Sequence, residues 1–279
     1  MTLPNLPMEL QDEIFRLAAW ESPVTANILL QVSKWVSHRI EPILYEIIVI
    51  QQTKDASKCF YPPHIERLSS KVLDLFEQHG NYMRCLWIEP IHPEQDVASA
   101  LKLCTSLKNL AFPSTCSTEM LEIIQEYPPQ LERLSGMFSM CRELFDALKP
   151  AYRLLTHLDF IGIHRWNASS TFLTGLPSLT HLAVDDMSDG DDVVVGALKG
   201  CQKLQAMLLV GDDEDMAKPC EETSRVAEYS DERIVRVIVS PFNNWWAGVH
   251  GGVDMWKFAD ELISERRRRR EELPMKPRP

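Results

Sequence analysis

The stretch LLTHLDF, residues 154–160, decides the fold, because a close variant of it, SLTHLAV, follows 24 residues later at 178–184. The same apolar-x-x-apolar-x-apolar pattern recurs in YMRCLWI (82–88), SLKNLAF (106–112), QLERLSG (130–136), KLQAMLL (203–209) and RIVRVIV (233–239). The step is 24 or 25 residues throughout, except for 30 across the acidic insertion before the last stretch. Such a period predicts one structural unit that is stacked several times, because a unit of this size cannot bury its own apolar face.

Each unit has the pattern of a strand followed by a helix. We predict strands near residues 83–88, 107–112, 131–136, 155–160, 179–184, 204–209 and 234–239. Helical apolar spacing fills the segments between them, so successive strands are joined by crossovers and run parallel. The predicted fold class is therefore α/β, a solenoid with a parallel sheet on its concave face and helices outside.

The period lies within the 20–29 residues of leucine-rich repeats, and the pattern resembles that family. The family places Asn or Cys eight residues after the first leucine, where this chain has Thr115, Ser139, Ile163 and Met187. The resemblance therefore implies an irregular leucine-rich-repeat-like solenoid, which we expect to span residues 51–256.

The N-terminal stretch LPMELQDEIF, residues 6–15, does not follow the 24-residue period. Pro7 suits the first turn of a helix, and Leu10, Ile14 and Leu17 follow at helical spacing. Two further short apolar faces follow before residue 50, so residues 1–50 are predicted to form a separate domain of three short helices. Three short helices bury too little surface to be stable alone, so their apolar faces must meet another surface.

This domain resembles an F-box, through LPMELQDEIF and the VSKW that follows it at 32–35. IEPILYEIIVI (40–50) and MRCLWIEP (83–90) are similar to F-box proteins abundant in basidiomycete, mushroom-type fungi. The family implies that the F-box binds a Skp-type adaptor, which carries a cullin–RING ubiquitin ligase, while the repeats hold the target protein. The adaptor-binding residues implied by the motif are Leu6, Pro7, Glu9, Leu10, Ile14, Phe15, Val32 and Trp35.

One spacing differs from the family, which usually has one more residue between the basic residue and the tryptophan. Trp35 follows Lys34 directly, so Val36 is the alternative occupant of the tryptophan site. A second alternative is that residues 1–50 only cap the open end of the solenoid. In either case EIIVI, residues 46–50, is suited to add a strand to the edge of the sheet.

The resemblance implies a non-enzymatic substrate receptor of a Skp–cullin–F-box ligase, with an unknown protein as its target and no cofactor or metal. The alternative is a repeat-based interaction scaffold that recruits no ligase. The net charge of −11 argues against nucleic-acid binding. Seven scattered cysteines, with no signal peptide or membrane span expected, suggest the cytoplasm, the nucleus or both.

We call the three apolar positions of each repeated stretch its anchors. The residues immediately before and after the second anchor of a stretch are predicted to point away from the helices. They form the predicted target-binding surface of Trp87, Arg133, His157, Asp159, His181, Asp185 and Leu208, and the last strand adds Arg236 and Ile238. His157 and His181 hold the same position in adjacent repeats and should lie about 5 Å apart. Ser135 with His157 and Asp159 suggests a hydrolase triad, but no nucleophile elbow supports catalysis.

Residues 257–279 are predicted to form a C-terminal helix with an arginine-rich tail. Apolar residues at helical spacing, from Met255 to Ile263, precede SERRRRREE at 264–272, in which Glu265 faces Arg269. The alternative is that Arg266–Arg270 act as a nuclear import signal. Trp245, Trp246 and Trp256 are expected to cover the apolar end of the last repeat.

Overall fold

The computed structural model describes residues 6–21, 23–51, 64–65, 68, 70–89, 94–115, 117–127, 130–137, 146–160, 171–186, 191–211 and 231–272. Ser139, Ile163 and Met187 lie outside these residues, as does the tail from residue 273. The chain forms two compact units, residues 1–110 with 127–130, and residues 111–126 with 131–279. Both contain parallel strands and helices, so the α/β class is confirmed. Within the described part of the chain, no helix is long and apolar enough to cross a membrane.

The first unit begins with three short helices, α1 (Met8–Glu21), α2 (Pro23–Val32) and α3 (Lys34–Leu44). Their inner sides form a small apolar core of Ala19, Ala26, Val36, Ile40 and Leu44. Ser33 caps α3, because its hydroxyl accepts a hydrogen bond from the Val36 N–H at 3.2 Å. The three predicted helices are therefore present.

The rest of the first unit alternates strands with helices. In chain order these are β1 (Ile47–Ile50), β2 (His64–Ile65), α4 (Ser70–His79), β3 (Cys85–Ile88), α5 (Glu94–Leu103) and the start of β4 (Asn109–Thr115). β1 lies between β2 and β3 and pairs with both in parallel, with Ile47 beside Cys85. All four residues of β1 are buried, which confirms that EIIVI supplies a strand.

The second unit continues this alternation. Its elements are the remainder of β4, α6 (Thr118–Glu126), β5 (Arg133–Met137), a 3-10 turn (Pro150–Tyr152), β6 (His157–Phe160), α7 (Thr171–Thr174), β7 (His181–Asp185), α8 (Asp191–Gly200), β8 (Ala206–Gly211), β9 (Ile234–Ile238), α9 (Pro241–Val249) and α10 (Met255–Glu272). β5 to β9 lie side by side in chain order, each parallel to the next. A strand occurs at every one of the seven predicted segments.

The pairing of β5 to β8 follows the sequence period. Leu134 lies beside Leu158, Leu158 beside Leu182, and Leu182 beside Met207. All four side chains are buried, as the anchor pattern predicts. Because side chains alternate between the two faces of a strand, this register also places His157, Asp159 and their counterparts together on the other face.

The predicted register of β9 is wrong by one residue. Val235 lies beside Leu208 and Arg236 beside Leu209, so Arg236 and Ile238 belong to the anchor face instead of the predicted target-binding face. A one-residue shift exchanges the two faces of a strand. The sequence RIVRVIV is apolar at both alternating sets of positions, so its pattern does not determine which set faces which side.

Candidate interaction surfaces

The helices of the first unit expose an unusual number of large apolar side chains. We call this set the helical apolar surface; it comprises Leu6, Met8, Leu10, Ile14, Leu17, Ile28, Val32 and Trp35, each roughly half exposed. Five of the eight predicted adaptor-binding residues belong to it: Leu6, Leu10, Ile14, Val32 and Trp35. Pro7 and Glu9 are also exposed, whereas Phe15 is half-buried against the core of the three helices.

Trp35, not Val36, lies on this surface. The Trp35 side chain is 47% exposed, whereas Val36 is 6% exposed and belongs to the core. Phe15 meets the Trp35 ring edge-on, with 6.0 Å between ring centroids. The Arg39 guanidinium lies 4.4 Å from the same ring and also pairs with Asp12, so the indole is held in place while part of it stays open to solvent.

A second cluster lies on β6 and β7 of the second unit, where the His157 and His181 rings stack. Their centroids are 4.2 Å apart and their planes differ by 7°, which confirms the predicted proximity. The Thr156 and Thr180 hydroxyls each donate to a backbone carbonyl and lie 2.8 Å from Nδ1 of the following histidine. Because each hydroxyl proton is already used, each hydroxyl accepts from the Nδ1–H of its histidine.

Helix α10 packs over this cluster. The Trp256 ring meets both histidines edge-on, with centroid distances of 5.2 Å to His157 and 5.8 Å to His181. On one side of Trp256, Arg133 of β5 donates to Asp254 at 2.9 Å. On the other side, His181 Nε2 lies 3.0 Å from Asp260 Oδ1.

Farther along α10, the contact with the sheet is apolar. Met255, Trp256, Ala259 and Ile263 form a single core with residues from β7, β8 and β9, namely Ala183, Ala206, Leu208, Val235 and Val237, together with Val239 just beyond β9. Arg266 then donates to the backbone carbonyls of Glu232 and Ile234, at 3.1 Å and 2.7 Å. The predicted pairing of Glu265 with Arg269 is also present, at 2.8 Å.

Burial under α10 shifts the titration of two groups. The pKa of His157 falls to about 2, chiefly through burial and also through the charges of His181 and Arg133. The pKa of Asp159 rises to about 7, mainly because the carboxyl is buried. A hydrogen bond from the Ser135 hydroxyl at 2.8 Å opposes this rise, and the nearby charge of Asp185 adds to it.

The structure corrects the expectation that the predicted target-binding side chains stay outside any core. In the second unit Asp159, His181 and Leu208 are buried, because α10 packs over their face of the sheet. In the first unit Trp87 is buried on β3, beside Val49 of β1. Arg133, His157 and Asp185 are half-buried, and their role in target binding stays a prediction.

Two features of the sequence are consistent with this docking of α10. Trp256 is expected to cover the apolar end of the last repeat, and in the structure it joins the core of β9 and also reaches the histidines of β6 and β7. Asp254 precedes the apolar stripe of α10 and Asp260 lies within it, and these two carboxylates meet Arg133 and His181 on the sheet.

The polar contacts on this face differ from those of a hydrolase triad. Such a triad needs a serine hydroxyl that donates to the histidine. Here the Ser135 hydroxyl donates to Asp159, and the His157 ring contacts Thr156, His181 and Trp256. In the ranges that the structure describes, no three His, Cys, Asp or Glu residues are grouped to hold a metal ion.

Comparison of the chain with protein-family models and with curated proteins finds no match.

Proposed function

We propose that the three N-terminal helices act as an F-box that binds a Skp-type adaptor, and that the following repeats hold a target protein for a cullin–RING ubiquitin ligase. The observation that carries this proposal is the helical apolar surface. It combines large apolar residues from all three helices, and five of its eight members stand at positions that the sequence motif implies for adaptor contact.

The physical case rests on the cost of leaving such a surface in water. Each half-exposed leucine or isoleucine gains about 1 kcal/mol when its remaining apolar surface is buried. Contiguous apolar surfaces with a polar rim are typical of protein interfaces. Exposed charged residues at Glu9, Asp12, Glu13 and Lys34 supply such a rim.

The two alternative functions assign no adaptor to the helical apolar surface. In the capping interpretation, α1–α3 only close the end of the repeats. Their inner sides are buried against one another, and this interpretation leaves the helical apolar surface without a role. In the scaffold interpretation, the repeats bind partners and no ligase is recruited. Binding of a Skp adaptor separates both alternatives from the proposal.

The direct test is co-purification of the full chain with a fungal Skp adaptor. Ile14→Asp places an unpaired charge in the proposed interface and should reduce adaptor recovery at least tenfold. Leu148→Asp is the matched control, because Leu148 is 89% exposed and lies in the second unit. Equal recovery of both variants would reject the F-box proposal.

A further inference from the structure

We propose that the sheet face beneath α10 is a binding site for an amphipathic helix of another protein, and that α10 occupies it as an exchangeable internal ligand. The partner is defined by chemistry: an aromatic side chain between two carboxylates, followed by small and branched apolar residues on the same helical face. This inference rests on the proposed function only in identifying that partner as a target protein.

The first support is polar complementarity between α10 and the sheet, an ion pair between Arg133 and Asp254 and a contact of His181 Nε2 with Asp260 Oδ1. The sheet supplies Arg133 from β5 and His181 from β7, and the helix supplies Asp254 and Asp260. The two carboxylates lie on either side of Trp256 in the sequence. Complementary polar groups at two separate points of a contact fix the register and direction of a bound helix and confer specificity more than affinity.

The second support is the apolar pattern of α10. Met255, Trp256, Ala259 and Ile263 recur at the spacing that places an apolar stripe on one side of a helix, and all four are buried. Recognition of amphipathic helices in grooves uses anchors at this spacing. The rest of α10 is strongly charged, with Arg268, Glu271 and Glu272 fully on the surface.

The third support is that β5 to β8 have another core. Their anchor residues Leu134, Leu158, Leu182 and Met207 are buried on the face opposite to α10. These strands therefore keep an apolar core when α10 leaves. The face beneath α10, in contrast, joins an apolar part, from Ala183 to Val239, to the polar side chains of Arg133, His157, Asp159 and His181.

The fourth support is the connection between α9 and α10. It is short and contains two consecutive glycines, of which Gly251 has a φ of +73° that favours glycine. Val253, the next residue but one, is 56% exposed. The connection makes α10 a tethered neighbour of its site, so the high effective concentration keeps the site occupied by α10 until a stronger ligand competes.

The experiment severs this tether in the full-length chain. A protease recognition sequence is inserted between Gly251 and Gly252, and the purified protein is cleaved after folding. Two labelled probes are then added: a peptide of residues 252–272, and a designed helix that keeps only Asp254, Met255, Trp256, Ala259, Asp260 and Ile263 at their spacing. Fluorescence anisotropy reports binding, and hydrogen exchange reports whether β6 and β7 stay folded.

We expect both probes to bind the cleaved protein at least tenfold more tightly than the uncleaved insertion variant. A Trp256→Ala version of either probe should lose at least tenfold in affinity. The amides of Leu158 and Leu182 should stay protected from hydrogen exchange when a probe replaces α10.

Three outcomes would overturn the proposal. Loss of protection in β6 and β7 after cleavage would make α10 part of the essential core. If the cleaved protein stays folded and binds neither probe, α10 is permanently bound to the sheet. If it binds the native peptide but not the designed helix, the proposed recognition chemistry is rejected. Adaptor recovery, measured on the same cleaved protein, tests the proposed function separately, because the adaptor surface lies on other helices.

Discussion

Asp254 uses both of its carboxylate oxygens, one to begin α10 and the other to hold Arg133 of β5. Its Oδ1 accepts from the Lys257 N–H at 2.8 Å, which satisfies a free donor of the first helical turn. Its Oδ2 accepts from Arg133 Nη1 at 2.9 Å. The start of the helix and its position over the sheet are therefore fixed by the same side chain.

Asp254→Asn and Asp254→Ala should separate these two roles. Asparagine keeps the cap and loses the ion pair, whereas alanine loses both, and loss of a cap costs about 1 kcal/mol. We expect hydrogen exchange of the α10 amides to speed up modestly in Asp254→Asn and about fivefold more in Asp254→Ala. Equal rates in the two variants would show that Asp254 does not cap α10.

Gly248→Ala should imitate the loss of Asp254. A Cβ at position 248 would lie 2.5 Å from Asp254 Oδ2, too close for any real contact, so the carboxylate must move. We expect a loss of about 1–3 kcal/mol in denaturant unfolding. Gly211→Ala is the control, because its Cβ would meet Ile238 at an ordinary 3.6 Å.

A double variant makes this explanation specific. If Gly248→Ala acts by displacing Asp254, its cost should shrink in the Asp254→Ala background, because the displaced contacts are already absent. Additive costs would instead indicate that the methyl group harms another part of α9.

The neighbours Trp35 and Val36 should respond differently to truncation. Trp35→Ala should weaken adaptor recovery at least tenfold and change the unfolding free energy little, because the side chain is half exposed. Val36→Ala should cost about 1–2 kcal/mol of stability, because it opens a gap in the core of the three helices. Recovery that depends on Val36 and not on Trp35 would assign the tryptophan site to Val36.

The sequence predicted the strands well because their apolar anchors recur at a fixed period. Leu134, Leu158 and Leu182 are aligned by the same 24-residue step that relates them in the chain. The pattern failed at β9, because apolar residues occupy both faces of RIVRVIV. The alternation of side chains then does not determine which set of residues faces which side of the sheet.

The site beneath α10 was harder to predict, because it depends on contacts between distant parts of the chain. Arg133 and Asp254 are separated by 121 positions, and His181 and Asp260 by 79. Periodicity identifies which residues share a face of the sheet. It does not identify which later helix covers that face, so side chains predicted to meet a partner are buried by α10.

Leu158→Ala tests the shared core of the repeats. Leu158 is fully buried between Leu134 and Leu182 in the strand register, so its truncation should cost about 2–5 kcal/mol. Leu148→Ala, on an exposed turn, should change the unfolding free energy by less than about 0.5 kcal/mol. A small effect at Leu158 in urea melts would contradict the anchor register.

The last prediction concerns pH, because Asp159 and His157 have opposite effects on stability. The pKa of Asp159 is about 7 in the folded chain against 3.8 ordinarily. Its contribution to the free energy of unfolding is therefore full below about pH 4 and is lost as pH rises to 7. The pKa of His157 is about 2 against 6.5, so its contribution is present above about pH 6.5 and is lost as pH falls. Between about pH 4 and 6.5 the two slopes oppose each other.

Because the two pH dependences of stability largely cancel in the unmodified chain, each should become measurable when the other group is replaced. On acidification from about pH 6.5 to 5, Asp159→Asn should lose stability relative to the unmodified chain, and His157→Gln should gain it, each by up to about 1.4 kcal/mol per pH unit. Arg133, His181, Asp185 and Asp260 surround these groups and remain unchanged in both variants, so their contributions largely cancel in the comparison. Urea melts at the two pH values measure the effect, and parallel pH profiles for all three proteins would show that neither group titrates as its burial requires.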